Sequence, residues 1–525
     1  MSGRVVNREW VASQRIERRI EWRARRALRA LAAAAAGIVA TGLLGSGIVA
    51  CNPPPNAPKP PMPTPTASLD PLGPKPTLER PTPYQAPKVD VFRTEHGLTV
   101  WLVERPSLPL VSVTLAMPVG SADDPEKLPG LAHFTANMLD EGAGARDAIG
   151  ISTAIEELGA TLVTDAGLDG RRVSLTVLKK GFAQGFSIFA DVVARPKLSD
   201  AELERVGKLW QNQLRRRDDS AESVAQVVCR AVLYDGKTPY GHPTLGQLDA
   251  AKAVTPGDVR GFYARHYRPD RAVLVVAGDV TRAEIEQELR AHLADWKPPS
   301  APPPARAIAS APIESRPRLA LVDRPDAPQS VIAVVAPGLR VSAPEAPLAD
   351  LVNTALGGSF TSRLNQNLRE DHAWTYGARS SFLETRAQGP FVAQASVFVD
   401  VTAPALRETL AELEKMRASG LTLEELEKVR ARDLTELIET NETLDHLVSR
   451  LGSLALLELP HDHDARASLA RQRAKSEELA AVAAKYLDAS LFSIVVVGPR
   501  AQLEPQLKTL GLGDPEAWSP QGRKL

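Results

Sequence analysis

The chain has 525 residues, 24% charged and 43% apolar, proportions that fit folded domains and exclude a disordered chain or a disulfide-stapled miniature. Sixty-three basic residues balance sixty-three acidic ones, which removes the electrostatic ground for nucleic-acid binding. The balance is uneven, because residues 1–30 carry nine arginines and three glutamates and residues 31–50 no charge, so the chain from residue 51 onward holds a net −6.

Arg23, Arg25, Arg26 and Arg29 lead into the apolar stretch Leu31–Ala50, which ends Gly47-Ile48-Val49-Ala50-Cys51. A basic region, an apolar region and small residues before a cysteine read as an export signal with a bacterial lipobox. Residues 1–50 are then removed, and the acylated Cys51 anchors the mature chain in the cell envelope. Asn52 is not the aspartate that favours inner-membrane retention, so the expected location is the outer membrane, facing the periplasm. Twenty apolar residues also match a transmembrane helix, and Arg25-Arg26 alone does not make a twin-arginine signal. The only other cysteine, Cys229, lies in the apolar helical pattern 224–233 and reads as a core residue. With Cys51 lipidated it has no disulfide partner.

Residues 51–87 form a proline-rich tether, with fourteen prolines in 52–87. In a polyproline II conformation these residues reach roughly 110 Å. Two blocks follow, 88–297 and 318–513, separated by the proline-rich hinge 298–317. They repeat: 103–109 (VERPSLP) aligns with 322–328 (VDRPDAP) at an offset of 219, Tyr267 with Tyr486 at the same offset, and Gly278 with Gly498 at 220. In the first block, alternation predicts strands over 98–103, 110–119 and 170–178 and a closing strand over 272–276. Helices are predicted over 130–141, 148–159, 182–195, 200–217, 221–234, 256–267 and 283–294. The second block is expected to show helices over 347–356, 401–420, 423–457 and 476–487. Strands followed by helices make each block an α+β sandwich, a mostly antiparallel sheet with helices over one face. The charged runs 215–219 and 424–436 read as solvated helix faces. Gly357-Gly358, after a helix and without the lysine of a phosphate loop, reads as a C-cap and turn.

The phrase Gly130-Leu131-Ala132-His133-Phe134-Thr135-Ala136-Asn137-Met138 places His133, Ala136 and Asn137 on one helix face. Two histidines there would chelate zinc, and a glutamate between them could activate a water. One imidazole does not make a zinc site, and on chemistry alone His133 reads as a hydrogen-bonded helix residue.

This phrase resembles the inverted zinc motif, His-x-x-Glu-His, of the insulinase/pitrilysin (M16) peptidases. The resemblance extends over about 88–513 through 239–243 (PYGHP), 267–269 (YRP), 275–279 (VVAGD) and 356–370 (LGGSFTSRLNQNLRE). It implies the fold of that family, two homologous sandwich units in half of a clam-like chamber. In active members two histidines and a downstream glutamate bind zinc, and the motif glutamate is the base. Here Ala136 replaces the base, Asn137 the second histidine, and the downstream helix reads Trp210-Gln211-Asn212-Gln213-Leu214, without a glutamate. The chain is therefore expected to bind no metal and to hydrolyse no peptide by itself.

In the family's other unit an arginine and a tyrosine seven residues apart contact substrate near the scissile carbonyl, and Arg369 and Tyr376 stand at that spacing. On residue type alone, Arg369 could instead pair with Glu370 or Asp371, and Tyr376 could simply begin a strand. The resemblance implies a non-catalytic, substrate-binding subunit that offers Arg369 and Tyr376 to extended peptides beside a separate zinc-bearing M16 chain. The alternatives are a catalytically dead scaffold or peptide-binding protein of an envelope complex, and a peptidase with atypical ligands.

Overall fold

The computed structural model describes residues 84–236, 238–305 and 318–525. The signal, Cys51 and most of the tether lie outside them, as do residues 306–317 of the hinge. Among the described residues no helix is long and apolar enough to cross a membrane.

The first half contains β1 (Asp90–Arg93), β2 (Thr99–Glu104), β3 (Leu110–Met117), a small ribbon of β4 (Gly142–Ala143) and β5 (Arg146–Asp147), β6 (Thr161–Ala166), β7 (Arg171–Leu178) and β8 (Val273–Gly278). Six of these form one sheet in the order β1-β2-β8-β3-β7-β6, antiparallel except for the β2·β8 pair. The second half repeats the pattern with β9 (Leu319–Asp323), β10 (Gln329–Pro337), β11 (Thr375–Phe382), β12 (Pro390–Phe398), β13 (Ser493–Gly498) and β14 (Glu516–Trp518), in the order β11-β12-β10-β13-β9-β14. The two copies differ at one edge, where β1 runs antiparallel to β2 and β14 parallel to β9. β14 extends the second sheet beyond residue 513.

The expectation that helices cover one face of each sheet is incomplete. In β2, Val100 and Leu102 face the first half's own helices, Phe182–Ala194 and Arg282–His292, while Trp101 and Val103 face the opposite way. That second face is covered by helix Leu444–Leu456 of the other half, through Leu447, Val448, Leu451 and Leu454. The exchange is reciprocal. Helix Ala221–Tyr234 of the first half lays Val224, Val228 and Val232 on Ala320, Val322, Val495 and Val497 of the second sheet. Sheets buried on both faces need strands apolar at every position, which is why β2, β8 and β13 read as continuous apolar runs.

The exchange also corrects the single helix predicted over 423–457. Leu423–Glu442 ends at Thr443, whose side chain accepts from the His446 amide and starts a second helix, Leu444–Leu456. Ser220 does the same between Asp200–Asp219 and Ala221–Tyr234. A capping hydroxyl turns the chain at the point where it crosses from one half to the other.

Two further readings are corrected. The run 215–219 is not wholly solvated, because the Arg217 side chain is only 8% exposed, pairs with Asp218 at 2.7 Å and donates to the Gly246 carbonyl at 2.6 Å. In 424–436, Asp433 is buried between Arg471 at 2.8 Å and the Ser468 hydroxyl at 2.6 Å. Cys229 is a core residue as expected, and burial pushes its thiol up to about 12.

A buried polar network spans the junction of the halves. Tyr240 donates its hydroxyl to Asp169 at 2.8 Å and accepts from the Ala387 amide at 3.2 Å, while the Arg386 amide donates to the same carboxylate at 2.9 Å. Gly241 beside it admits no side chain, since a Cβ would lie 1.7 Å from the Asp235 carbonyl oxygen.

Candidate functional site

The motif helix, Leu131–Asn137, is shorter than predicted and is fixed at its start by two devices. Asp124 accepts from the amides of Gly130 at 2.6 Å and Ala132 at 2.7 Å, using both carboxyl oxygens for the orphan donors of a helix N-terminus. Burial pushes that carboxyl up to about 8 against the pull of these donors and of Arg171. Gly130 sits at φ +98° and Gly246 at φ +83°, back to back. A Cβ on Gly130 would meet the Trp210 ring at 2.7 Å and the Gly246 Cα at 2.8 Å. Trp210 stacks on Phe134 with ring centroids 4.8 Å apart and donates its indole N–H to the Leu245 carbonyl at 2.8 Å, which docks helix Asp200–Asp219 on the motif helix.

This docking brings together three of the positions singled out in the sequence. Asn137 Nδ2 lies 3.0 Å from His133 Nε2, one helical turn away. An amide nitrogen only donates, so Nε2 is the accepting nitrogen. The Gln213 side chain, from the neighbouring helix, comes close enough to act on the same imidazole. Burial lowers the His133 pKa, and the Asp165 charge on β6 and the nearby Gln213 side chain oppose that shift without cancelling it. Ala136 is 1% exposed and offers no proton acceptor. These residues do not fit zinc: the imidazole lone pair is engaged by an amide N–H, and its neighbours are neutral amides. Among the described residues no group of three His, Cys, Asp or Glu side chains is arranged to hold a metal.

Arg369 and Tyr376 lie on adjoining elements of the second half. Arg369 is in a π-helical turn, Gln366–Asp371, anchored by the buried Leu364 and Leu368 and by Asn367, which donates to Glu408 and Glu412 at 3.0 Å each. Its guanidinium sits 4.2 Å from the centre of the Phe360 ring and 3.5 Å from Glu370, so the local pairing expected from residue type is present. Tyr376 is indeed the second residue of a strand, but its side chain is 86% exposed. The β11·β12 register shifts between Thr375 and Ala378, a bulge that Thr375 closes by donating its hydroxyl to the Ser396 carbonyl at 2.7 Å and accepting from the Gly377 amide at 3.1 Å. Bulges re-aim side chains, and this one turns Tyr376 into solvent.

Gly357-Gly358 is not the expected C-cap. Both residues belong to a π-helical segment, Thr354–Gly358, and neither has positive φ. Gly357 instead lets the chain press against β11, where a Cβ would lie 2.5 Å from the Ser380 amide nitrogen. Sequence reasoning missed the contact between Gln213 and His133, and it missed Phe360. The only available signal for Gln213 was the absence of a glutamate from the stretch 210–214 of its helix.

A family model described as Insulinase (Peptidase family M16) matches residues 99–246, and one described as Peptidase M16 inactive domain matches 253–432. An uncharacterized zinc protease of Mycobacterium bovis is 26% identical over 422 residues, 79% of this chain and 94% of that protein. The beta subunit of the mitochondrial-processing peptidase of Rattus norvegicus is 26% identical over 209 residues, 40% of this chain and 42% of that one. The crystal structure of a peptidase M16 inactive domain from Pseudomonas fluorescens superposes with a TM-score of 0.72 at 25% identity, covering 78% of this chain and 98% of that one. The duplicated sandwich, the degenerate motif on its helix and these likenesses agree: the chain belongs to the M16, insulinase-like, peptidase family.

Proposed function

We propose that this chain is a non-catalytic, peptide-binding member of its family, the substrate-holding subunit of a two-chain envelope peptidase whose zinc is carried by a partner with an intact His-x-x-Glu-His motif. The observation that carries this reading is a contrast within one chain. The groups that would bind zinc and move a proton are replaced by Ala136, Asn137 and Gln213, whereas Tyr376 is held out of the sheet by a built bulge next to the turn that carries Arg369. A phenol and a guanidinium held in advance are donors suited to a peptide carbonyl and to the oxyanion that develops from it. The likeness to a protein named as a subunit of a processing peptidase supports a shared site. Lipidation at Cys51 would hold the complex on the periplasmic face of the outer membrane, with the tether setting its stand-off.

The test is peptide cleavage by the chain reconstituted with a zinc-motif partner recovered from the native envelope. Tyr376→Phe should lower turnover by about 10²–10³ while the complex still forms. Arg369→Ala should weaken substrate binding as well. Equal turnover with wild-type and doubly substituted chains would leave the scaffold reading in its place.

A further inference from the structure

We infer that Asn365 and Phe360 are positioning residues that fix Arg369 and Tyr376 relative to one another, an inference that rests on the proposed peptide-binding role of that pair.

Asn365 is buried, at 6% exposure, and nothing in its residue type calls for an interior site. Its place is explained by four contacts. Nδ2 donates to the carbonyls of Ala378 at 2.8 Å and Ser359 at 3.1 Å and to the Ser362 hydroxyl at 3.2 Å, and Oδ1 accepts from the Ala378 amide at 2.9 Å. One side-chain amide therefore serves both backbone groups of Ala378, as a neighbouring strand would. β11 is an edge strand, paired only with β12, and Ala378 is the residue at which register resumes after the bulge carrying Tyr376. Asn365 itself lies one turn before Arg369, in helical segment Arg363–Asn365, which runs straight into the π-helical turn. The amide thus ties the helical segment that carries Arg369 to the strand that carries Tyr376.

Phe360 supplies the second constraint. It is 66% exposed, too open to contribute much to a core, yet its ring lies 4.2 Å from the Arg369 guanidinium. The ring face holds a flexible side chain in one orientation without taking its hydrogen-bond donors. It leaves from the same loop as Ser359, whose carbonyl Asn365 holds, so both devices act on one assembly.

The test uses the full chain and fluorescein-labelled carboxymethylated lactalbumin, which stays unfolded, with affinity read by anisotropy. Asn365→Ala should raise Kd about tenfold, the scale of one or two lost buried hydrogen bonds. Phe360→Ala should raise it about threefold and Phe360→Trp should restore it. In a chain already carrying Arg369→Ala and Tyr376→Phe, neither substitution should change Kd by more than about twofold, because there is nothing left to position. The same loss in that background, or an unchanged Kd in the otherwise native chain, overturns the inference. If Asn365→Ala does not fold, the Phe360 series decides by the same criteria. If the Arg369/Tyr376 double substitution itself leaves Kd unchanged, it is the peptide-binding reading that fails. Hydrogen exchange at the Ala378 amide then decides the positioning claim: Asn365→Ala should accelerate it, and equal rates overturn it.

Discussion

Rebuilding the metal site tests whether the three altered positions around His133 are what separates this chain from zinc. Position 137 lies one turn from His133 with its side chain 3.0 Å away, and Gln213 reaches the same imidazole from the next helix. Asn137→His with Gln213→Glu therefore completes a His₂Glu set, and Ala136→Glu adds the base. Without metal the triple variant should suffer, because position 136 is 1% exposed. Enlarging a packed residue costs about 1–3 kcal/mol, and the new carboxyl is buried near a second one and near Asp165, so a total loss of about 3 kcal/mol is expected. Zinc at a hundred times its Kd should return about 2.7 kcal/mol. Urea denaturation with and without zinc, alongside elemental analysis, measures both terms. The wild-type midpoint should ignore zinc, the triple variant should gain it with one zinc per chain, and Ala136→Glu/Asn137→His should fall short for want of the third ligand. A triple variant blind to zinc refutes the assignment of Gln213. One tightly held zinc in the wild type, removed by His133→Ala, refutes the reading of the site as amide-filled.

Gly130→Ala should cost about 2–5 kcal/mol in the same assay, combining about 1–2 for a left-handed alanine with about 1–3 for the collision with Trp210 and Gly246; a loss below about 1 would mean the motif helix is not pinned there. Tyr240→Phe should cost about 2 kcal/mol, because it strips a donor from the buried Asp169 and leaves the Ala387 amide without its acceptor. The Lys485 ammonium, a backbone amide and the Tyr486 hydroxyl hold the Glu345 carboxyl down at about 2. A depressed folded-state pKa gives stability that is complete above the ordinary glutamate value and is lost as pH falls toward 2. Since the pair is partly exposed, the loss should be about 1 kcal/mol, and Tyr486→Phe should shrink it.

The sequence displayed the repeat, most helices and the central strands because those segments carry strong periodicity and clear breaks. The strands it concealed are the sheet edges and the small β4·β5 ribbon. β1 and β14 are short, and β6 (TLVTDA) alternates only weakly with polar residues on an exposed rim. The helix exchange was half visible: both faces of β2 are apolar, which signals two buried faces without naming what covers the second. Thr443 concealed the break in 423–457 because the helices on either side are amphipathic and no glycine or proline stands between them. At the site, the loss of Ala136 and Asn137 as functional groups could be read directly, since chemistry follows from residue type. The Tyr376 bulge and the π-helical turn of Arg369 could not, because they depend on Thr375 and Asn365 finding backbone partners in other segments. Hydrogen bonds of that kind leave no period in the chain.

The most direct test of the central claim is the affinity and fate of unfolded carboxymethylated lactalbumin with the purified wild-type chain, measured in a chelator and again with added zinc. The account predicts binding without cleavage under both conditions, weakened at least about tenfold by Arg369→Ala with Tyr376→Phe. Cleavage that the chelator abolishes, or binding indifferent to that double substitution, would contradict it.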